Sequence, residues 1–241
     1  MQSYKIYHFK SLTSTQDKAK EFAKKGLSNI IVAADIQTKG RGRFKRKWHS
    51  GKGSLSMSIL LKPKNIKNLQ YLTFAAAIAV VNSIKNVSKL KTSIKWPNDV
   101  HYKGKKLCGI LTEVVFGKEN YVVVGIGLNA NQNKLPEEIN NIATSLRIIK
   151  NKDFDINKLI KSIIDEFFNL YNRYYKKNKL SHILKIWKQY CDTINKNVTI
   201  ITKFKELKGK AIGVDNDCSL LLKTKNNELI KVIEGDIKVR Y

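Results

Sequence analysis

Residues Asp35 to Trp48 read D-I-Q-T-K-G-R-G-R-F-K-R-K-W. They follow an apolar run, Ile30 to Ala34, with the texture of a buried strand. Gly40 and Gly42 alternate with Arg41 and Arg43. Glycine lets the backbone turn sharply and come close to a ligand. The planar arginine fork suits bidentate recognition of a carboxylate or phosphate. A loop of this kind at a strand end is suited to wrapping a small anion. The same residues also describe a solvated basic loop or a nucleic-acid patch, because charge runs are usually solvated.

A second stretch, Lys95 to Val115, reads K-W-P-N-D-V-H-Y-K-G-K-K-L-C-G-I-L-T-E-V-V. Taken with the first, it resembles the biotin–protein ligases. That family carries a G-R-G-R loop, a K-W-P-N-D segment, a K-L-x-G-I-L strand and a G-x-G-x-N strand in this order. Here they fall at Gly40–Arg43, Lys95–Asp99, Lys106–Leu111 and Gly125–Asn129. One short motif is weak evidence; four in order and at the family's spacing are strong. The resemblance covers nearly the whole chain. It implies an α+β fold: a mixed sheet flanked by helices, the class II synthetase-like catalytic domain of biotin and lipoate ligases, over residues 1–192. A small C-terminal β-barrel of the Src-homology type is expected over 193–241.

The periodicity agrees with that outline. Ser14 is placed to cap a helix containing Asp17, Ala19, Phe22 and Ala23, which Gly26 stops. Leu55, Met57, Ile59 and Leu61 alternate with serines, a strand signal. Tyr71 to Ile84 reads as an apolar core helix, and Ile156–Tyr175 and Ile183–Tyr190 as amphipathic ones. Tyr102-Lys103-Gly104-Lys105 has the form of a hairpin turn between Ser93–Trp96 with its Pro97 break and Leu107–Val115. That hairpin brings Asp99 near Lys106; taken alone, the pair is an ordinary ion pair worth ~0–1 kcal/mol if exposed. From Lys196 the chain breaks into short β runs separated by polar turns.

Composition bounds the rest. The 241 residues include 46 lysines and arginines against 19 aspartates and glutamates, a net charge of +27. Forty of the basic residues are lysines spread along the entire chain, a pattern of composition drift more than of a built nucleic-acid surface. Such a field still speeds the approach of an acidic partner. The apolar run Tyr71–Val81 is too short to span a bilayer, and Met1–Lys10 has no secretion-type core. Cys108, Cys191 and Cys218 form neither a zinc pattern nor a disulfide framework, which fits a reducing, cytoplasmic setting.

The resemblance implies a function. An ATP-dependent ligase would make biotinyl-adenylate and pass biotin to a lysine of a biotin carboxyl carrier protein, such as an acetyl-CoA carboxylase subunit. The biotin contacts it implies are Ser14, Thr15, Gln16, Gln37, Gly40, Arg41, Lys106 and Gly109. The ATP contacts it implies are Arg41, Arg43, Trp48, Asn98, Lys106, Asn129 and Arg240. Lys106, Arg43 and Asp99 would carry the chemistry, with Asp99 binding Mg²⁺ or taking the proton of the incoming lysine. Chemically, two anions must meet before a carboxylate can be activated, so the site must supply positive charge and aligned donors. A ureido ring is satisfied by neutral hydroxyl and amide groups such as Thr15 and Gln37. Three sites depart from the family pattern: Gln16 replaces a common asparagine, Phe44-Lys45 replaces Arg-Gly, and Asp217-Cys218 stands where an aspartate–glycine turn is usual. Many bacterial relatives carry an N-terminal helix-turn-helix; with the Ser-Thr pair at residue 14, no such domain and no specific DNA binding are expected. A homodimer through a sheet edge is compatible. Rival readings are a lipoate or octanoate ligase, a biotin sensor that binds without transfer, and a lysine-rich nucleic-acid module with steep salt dependence.

Overall fold

The computed structural model describes residues 4–202 and 205–239. The chain opens with β1 (Lys5–Leu12), α1 (Thr15–Lys24), β2 (Ile30–Gln37) and β3 (Ser54–Leu61). Next come α2 (Gln70–Ser88), β4 (Ser93–Lys95), β5 (Asp99–Tyr102), β6 (Lys105–Val115) and β7 (Tyr121–Asn129). Three helices follow: α3 (Leu146–Lys150), α4 (Ile156–Leu170) and α5 (Leu180–Tyr190). The last strands are β8 (Asn197–Ile201), β9 (Glu206–Val214), β10 (Leu220–Lys223), β11 (Leu229–Val232) and β12 (Asp236–Val239).

The first seven strands form one mixed sheet in the order β1-β2-β3-β7-β6-β5-β4, in which only β1 and β2 run parallel. α2 lies across one face with α4 and α5 over it. It is apolar all round because the sheet covers one side and helices the other. α1 covers part of the opposite face through Ala19 and Ala23, against Val32, Leu60 and Val123. Every residue of β3 is buried. Leu55, Met57, Ile59 and Leu61 enter the helix-side core, while Ser54, Ser56 and Ser58 turn the other way. Those serines are hydrogen-bonded, Ser58 Oγ to Thr15 Oγ1 at 2.8 Å and Ser50 Oγ to both Ser54 and Ser56. Such pairing removes most of the cost of burying a hydroxyl.

The expected hairpin turn is present, with Lys103 and Gly104 both at positive φ between β5 and β6. The helix expected over 156–175 stops at Leu170. A wider π-type turn, Tyr171–Tyr175, follows and stacks the rings of Tyr171 and Tyr175 at 5.5 Å. α5 begins three residues before the expected Ile183.

β8 to β12 make a separate five-stranded antiparallel sheet in the order β11-β10-β9-β8-β12. It docks on the first sheet through Trp96, which is 2% exposed. The Trp96 indole N–H donates to the Cys218 carbonyl at 2.8 Å, and its backbone N–H donates to Thr193 Oγ1 at 3.0 Å. Tyr71 Oη adds a bond to the Asn216 carbonyl at 2.5 Å. Trp96→Phe keeps most of the buried area but strands the Cys218 carbonyl. We expect it to lower unfolding free energy by ~1–3 kcal/mol in denaturant titration.

Candidate active site

Sheet register builds the floor of the site. One row across four strands pairs Ser56 with Gly127, Gly127 with Gly109, and Gly109 with Asp99. Residues small enough to leave room therefore run from β3 to β5, and a cavity of about 540 Å³ lies over them. Trp48 lies on this floor. A Cβ at Gly127 would sit 2.5 Å from its indole Cε2, and one at Gly109 3.3 Å from its Cζ3. Glycine at 127 is what admits the ring, and glycine at 109 relieves a tight contact with it.

A bulge places Lys106. Along β6, Gly109, Leu111 and Glu113 face away from the core, while Cys108 and Ile110 enter it. Strict alternation would send Lys106 into the core as well. The pairing shifts instead, from Val100–Cys108 to His101–Lys106, with Leu107 as the extra residue. Lys106 thus joins the cavity face. Its Nζ lies 2.7 Å from Asp99 Oδ1 and 5.7 Å from the centre of the Trp48 ring. Burial works against the Asp99 carboxylate, but Lys106 and His101 outweigh it and hold the pKa well below the usual carboxylate range.

The glycine–arginine loop folds back on itself. Gly42 N–H donates to the Arg46 carbonyl at 2.7 Å, and Trp48 N–H to the Gly40 carbonyl at 2.9 Å. Phe44 and Lys45 both take left-handed φ, 54° and 59°. A glycine there would meet that demand without the Cβ penalty. Arg43 reaches inward, donating to Asn98 Oδ1 at 3.1 Å, and burial lowers its pKa. Arg41 is braced on α1 and β6, 2.8 Å from Asp17 Oδ2 and 3.2 Å from Glu113 Oε2. Its pKa is raised, chiefly by the bond to Asp17. Arg46 forms an ion pair with Asp236 on β12, so this loop also touches the second sheet.

At the α1 end, beside Arg41, the remaining cavity groups are neutral hydroxyls and amides. Ser14 caps α1 and accepts from Asp17 N–H at 3.4 Å. Gln37 Oε1 accepts from the Thr15 N–H at 2.8 Å and from the Thr15 hydroxyl at 3.1 Å. With its oxygen used twice, Gln37 has its Nε2 left to donate. Gln16 is the converse. Its Nε2 donates to the Leu111 carbonyl at 3.2 Å and to Glu113 Oε2 at 2.8 Å, while its buried Oε1 has no partner.

Residues 8–129 match the Biotin/lipoate A/B protein ligase family, and residues 193–240 the Biotin protein ligase C terminal domain. The chain is 38% identical to the Bifunctional ligase/repressor BirA of Bacillus subtilis, over 99% of this chain and 75% of that protein. The chain belongs to the biotin–protein ligase family. The ligase is also 34% identical to the Biotin--[acetyl-CoA-carboxylase] ligase of Mycobacterium tuberculosis, over 58% of this chain and 53% of that one. Its fold superposes on a biotin protein ligase from Aquifex aeolicus, in complex with biotin and ATP, with a TM-score of 0.87. That match covers 98% of both chains at 30% identity.

Most residues singled out in the sequence line one cavity: Ser14, Thr15, Gln16, Gln37, Arg41 and Arg43, with Trp48, Asn98, Asp99, Lys106, Gly109 and Asn129. Gly40 does not line it. A Cβ there would meet the Trp48 carbonyl at 2.7 Å, so Gly40 serves the loop's own closure. Arg240 lies outside the described residues. Asn98 and Asn129 are tied at both ends of their amides, Asn98 between Arg43 and the Ile110 carbonyl, Asn129 between Gln132 and the Thr144 carbonyl. Sequence reasoning assigned no role to Lys95, Asp236 or Lys238, which also line the cavity, nor to Glu113 behind its wall. Lys95 carried a signal, its place in K-W-P-N-D, and burial lowers its pKa. Glu113 carried none, since a lone glutamate in a strand usually faces solvent. Lys106 pairs with Asp99 Oδ1 at 2.7 Å, and no group of three His, Cys, Asp or Glu gathers among the described residues.

The depressed Asp99 pKa sets a pH window. Its contribution to stability is full above the unfolded value of about 3.9 and is lost only as pH falls toward the lower folded value. The Asp99 carboxyl carbon in a ¹³C NMR titration should therefore show no inflection down to about pH 3, where an ordinary aspartate is already mostly protonated.

Proposed function

We propose that the ligase adenylates biotin at the expense of ATP and passes it to one lysine of a biotin carboxyl carrier protein of the acetyl-CoA carboxylase type. One observation carries this reading. A single cavity joins a neutral end, with the Gln37 amide as donor and the Gln16 carbonyl as acceptor, to a cationic end built on Lys106 and Arg43. A ureido ring needs the first and a carboxylate beside a phosphate the second.

The steps follow from the charges. A carboxylate oxygen of biotin attacks the α-phosphorus, and pyrophosphate leaves. Lys106 and Arg43 lower the repulsion between the two anions as they meet. The carrier amine then attacks the acyl carbon and AMP leaves. Asp99 aims Lys106 through their 2.7 Å pair and, as Lys106 turns to the substrate anions, becomes free to take the amine's proton. Magnesium brought in with the nucleotide would supply neutralisation of phosphate charge, with Asp99 a carboxylate of the cavity placed to help hold it. The basic surface favours approach of an acidic carrier domain. β1 is an open sheet edge through which two copies can pair. The free cysteines Cys108, Cys191 and Cys218 suit a reducing compartment, and among the described residues no helix is long and apolar enough to cross a membrane.

Biotin-dependent exchange between ATP and labelled pyrophosphate tests the first step, with lipoate and octanoate run beside it. We expect exchange with biotin alone; exchange with lipoate alone would move the substrate to the sister class. Lys106→Ala should lower exchange by ~10²-fold or more with an unchanged circular dichroism spectrum. Arg43→Gly should release adenylate and label unrelated lysines; strict carrier specificity in that variant would remove Arg43 from adenylate retention.

A further inference from the structure

Glu113 lies behind the cavity wall and receives three donors. Lys20 Nζ is 2.9 Å from Oε1, while Gln16 Nε2 and Arg41 Nη2 are 2.8 Å and 3.2 Å from Oε2. Flanked by two cations, the carboxylate presents only acceptors. The Leu111 carbonyl, 3.2 Å from the same Gln16 nitrogen, is an acceptor too. An amide facing two acceptors can sit one way round, with nitrogen toward them and oxygen away. The reverse would press the Gln16 oxygen against two oxygens and leave its NH₂ without a buried acceptor. The oxygen so fixed is buried and unpartnered, in a side chain 4% exposed that lines the cavity. Room for it exists because residue 125 is glycine: a Cβ there would lie 2.8 Å from Oε1.

We infer that Glu113 is a positioning residue that sets ligand specificity: by locking the Gln16 amide it presents the cavity with an acceptor, so that the ligand must bring a ring N–H. The inference rests on the biotin reading above and goes beyond it, since Glu113 itself touches no ligand. It also accounts for the longer glutamine at this position. Gln16 reaches the β6 carboxylate, and through Glu113 the α1 turn is tied to Arg41 in the glycine–arginine loop.

The test measures dissociation constants for biotin and for the two analogues in which one or the other ureido N–H is replaced by ring oxygen. The wild-type ligase should prefer biotin by ~10²-fold or more over one analogue, because a site built for an N–H rejects a ligand lacking it. In Glu113→Gln, whose amide can offer Gln16 either a donor or an acceptor, the preference should fall below ~10-fold. In a Gln16→Leu background, Glu113→Gln should alter the preference no further. If Glu113→Gln does not fold, Glu113→Asp withdraws the carboxylate by one methylene and should lower the same ratio at least about threefold. An unchanged ratio in the folded variant, or equal loss of affinity for biotin and both analogues, overturns the inference. A wild-type ligase that binds no biotin overturns the biotin reading itself.

Discussion

The register of β6 is the constraint on which the site depends. A strand shows alternate residues to opposite faces, so a slip by one residue would exchange the core set for the cavity set. Here Cys108 and Ile110 are held in the core by the helices beyond them, which fixes Gly109, Leu111 and Glu113 on the cavity face. The extra residue Leu107 then reverses the alternation once, and Lys106 returns to the cavity beside Asp99. Pairing with β7 and β3 extends the same row to Gly127 and Ser56, which gives a floor flat enough for the Trp48 ring.

Charge in this cavity is arranged by partners. Arg41 is held by Asp17 and Glu113, Lys106 by Asp99, Arg43 by Asn98 and Arg46 by Asp236. Each contact limits the rotamers of a long cation, so less entropy remains to be lost when an anion arrives. The partners also divide the work. Where a cation has a carboxylate against it, as Arg41 does twice, it braces structure; Arg43, bonded to a neutral amide, keeps its charge for a ligand.

The second sheet is part of this arrangement. Trp96, in the middle of K-W-P-N-D, points away from the cavity and anchors the turn carrying Cys218, while its neighbours Lys95, Asn98 and Asp99 line the site. One short segment therefore fixes the position of both the chemistry and the small sheet. Asp236 on β12, paired with Arg46, closes the contact from the other side.

The sequence by itself determined the elements and the motif-bearing residues. The serine alternation gave β3, the Lys103-Gly104 turn gave the β5–β6 hairpin, and Ser14 gave the start of α1. Gly109 and Gly127 were legible as members of the K-L-x-G-I-L and G-x-G-x-N motifs, though not as partners under one indole. Those signals are local: period two, a left-handed turn, a cap. What only the tertiary structure decided depends on contacts between residues far apart in the chain. The Leu107 bulge leaves no mark in K-K-L-C-G, because it is set by what β5 and β7 need on either side. Trp96 sits in K-W-P-N-D with no local sign that the distant Cys218 carbonyl lies against its indole N–H. Glu113 had no signal at all. Its role arises from Gln16, Lys20 and Arg41, more than seventy positions away, converging on one carboxylate. No periodicity in a single strand records that meeting, because the fold alone brings those donors together.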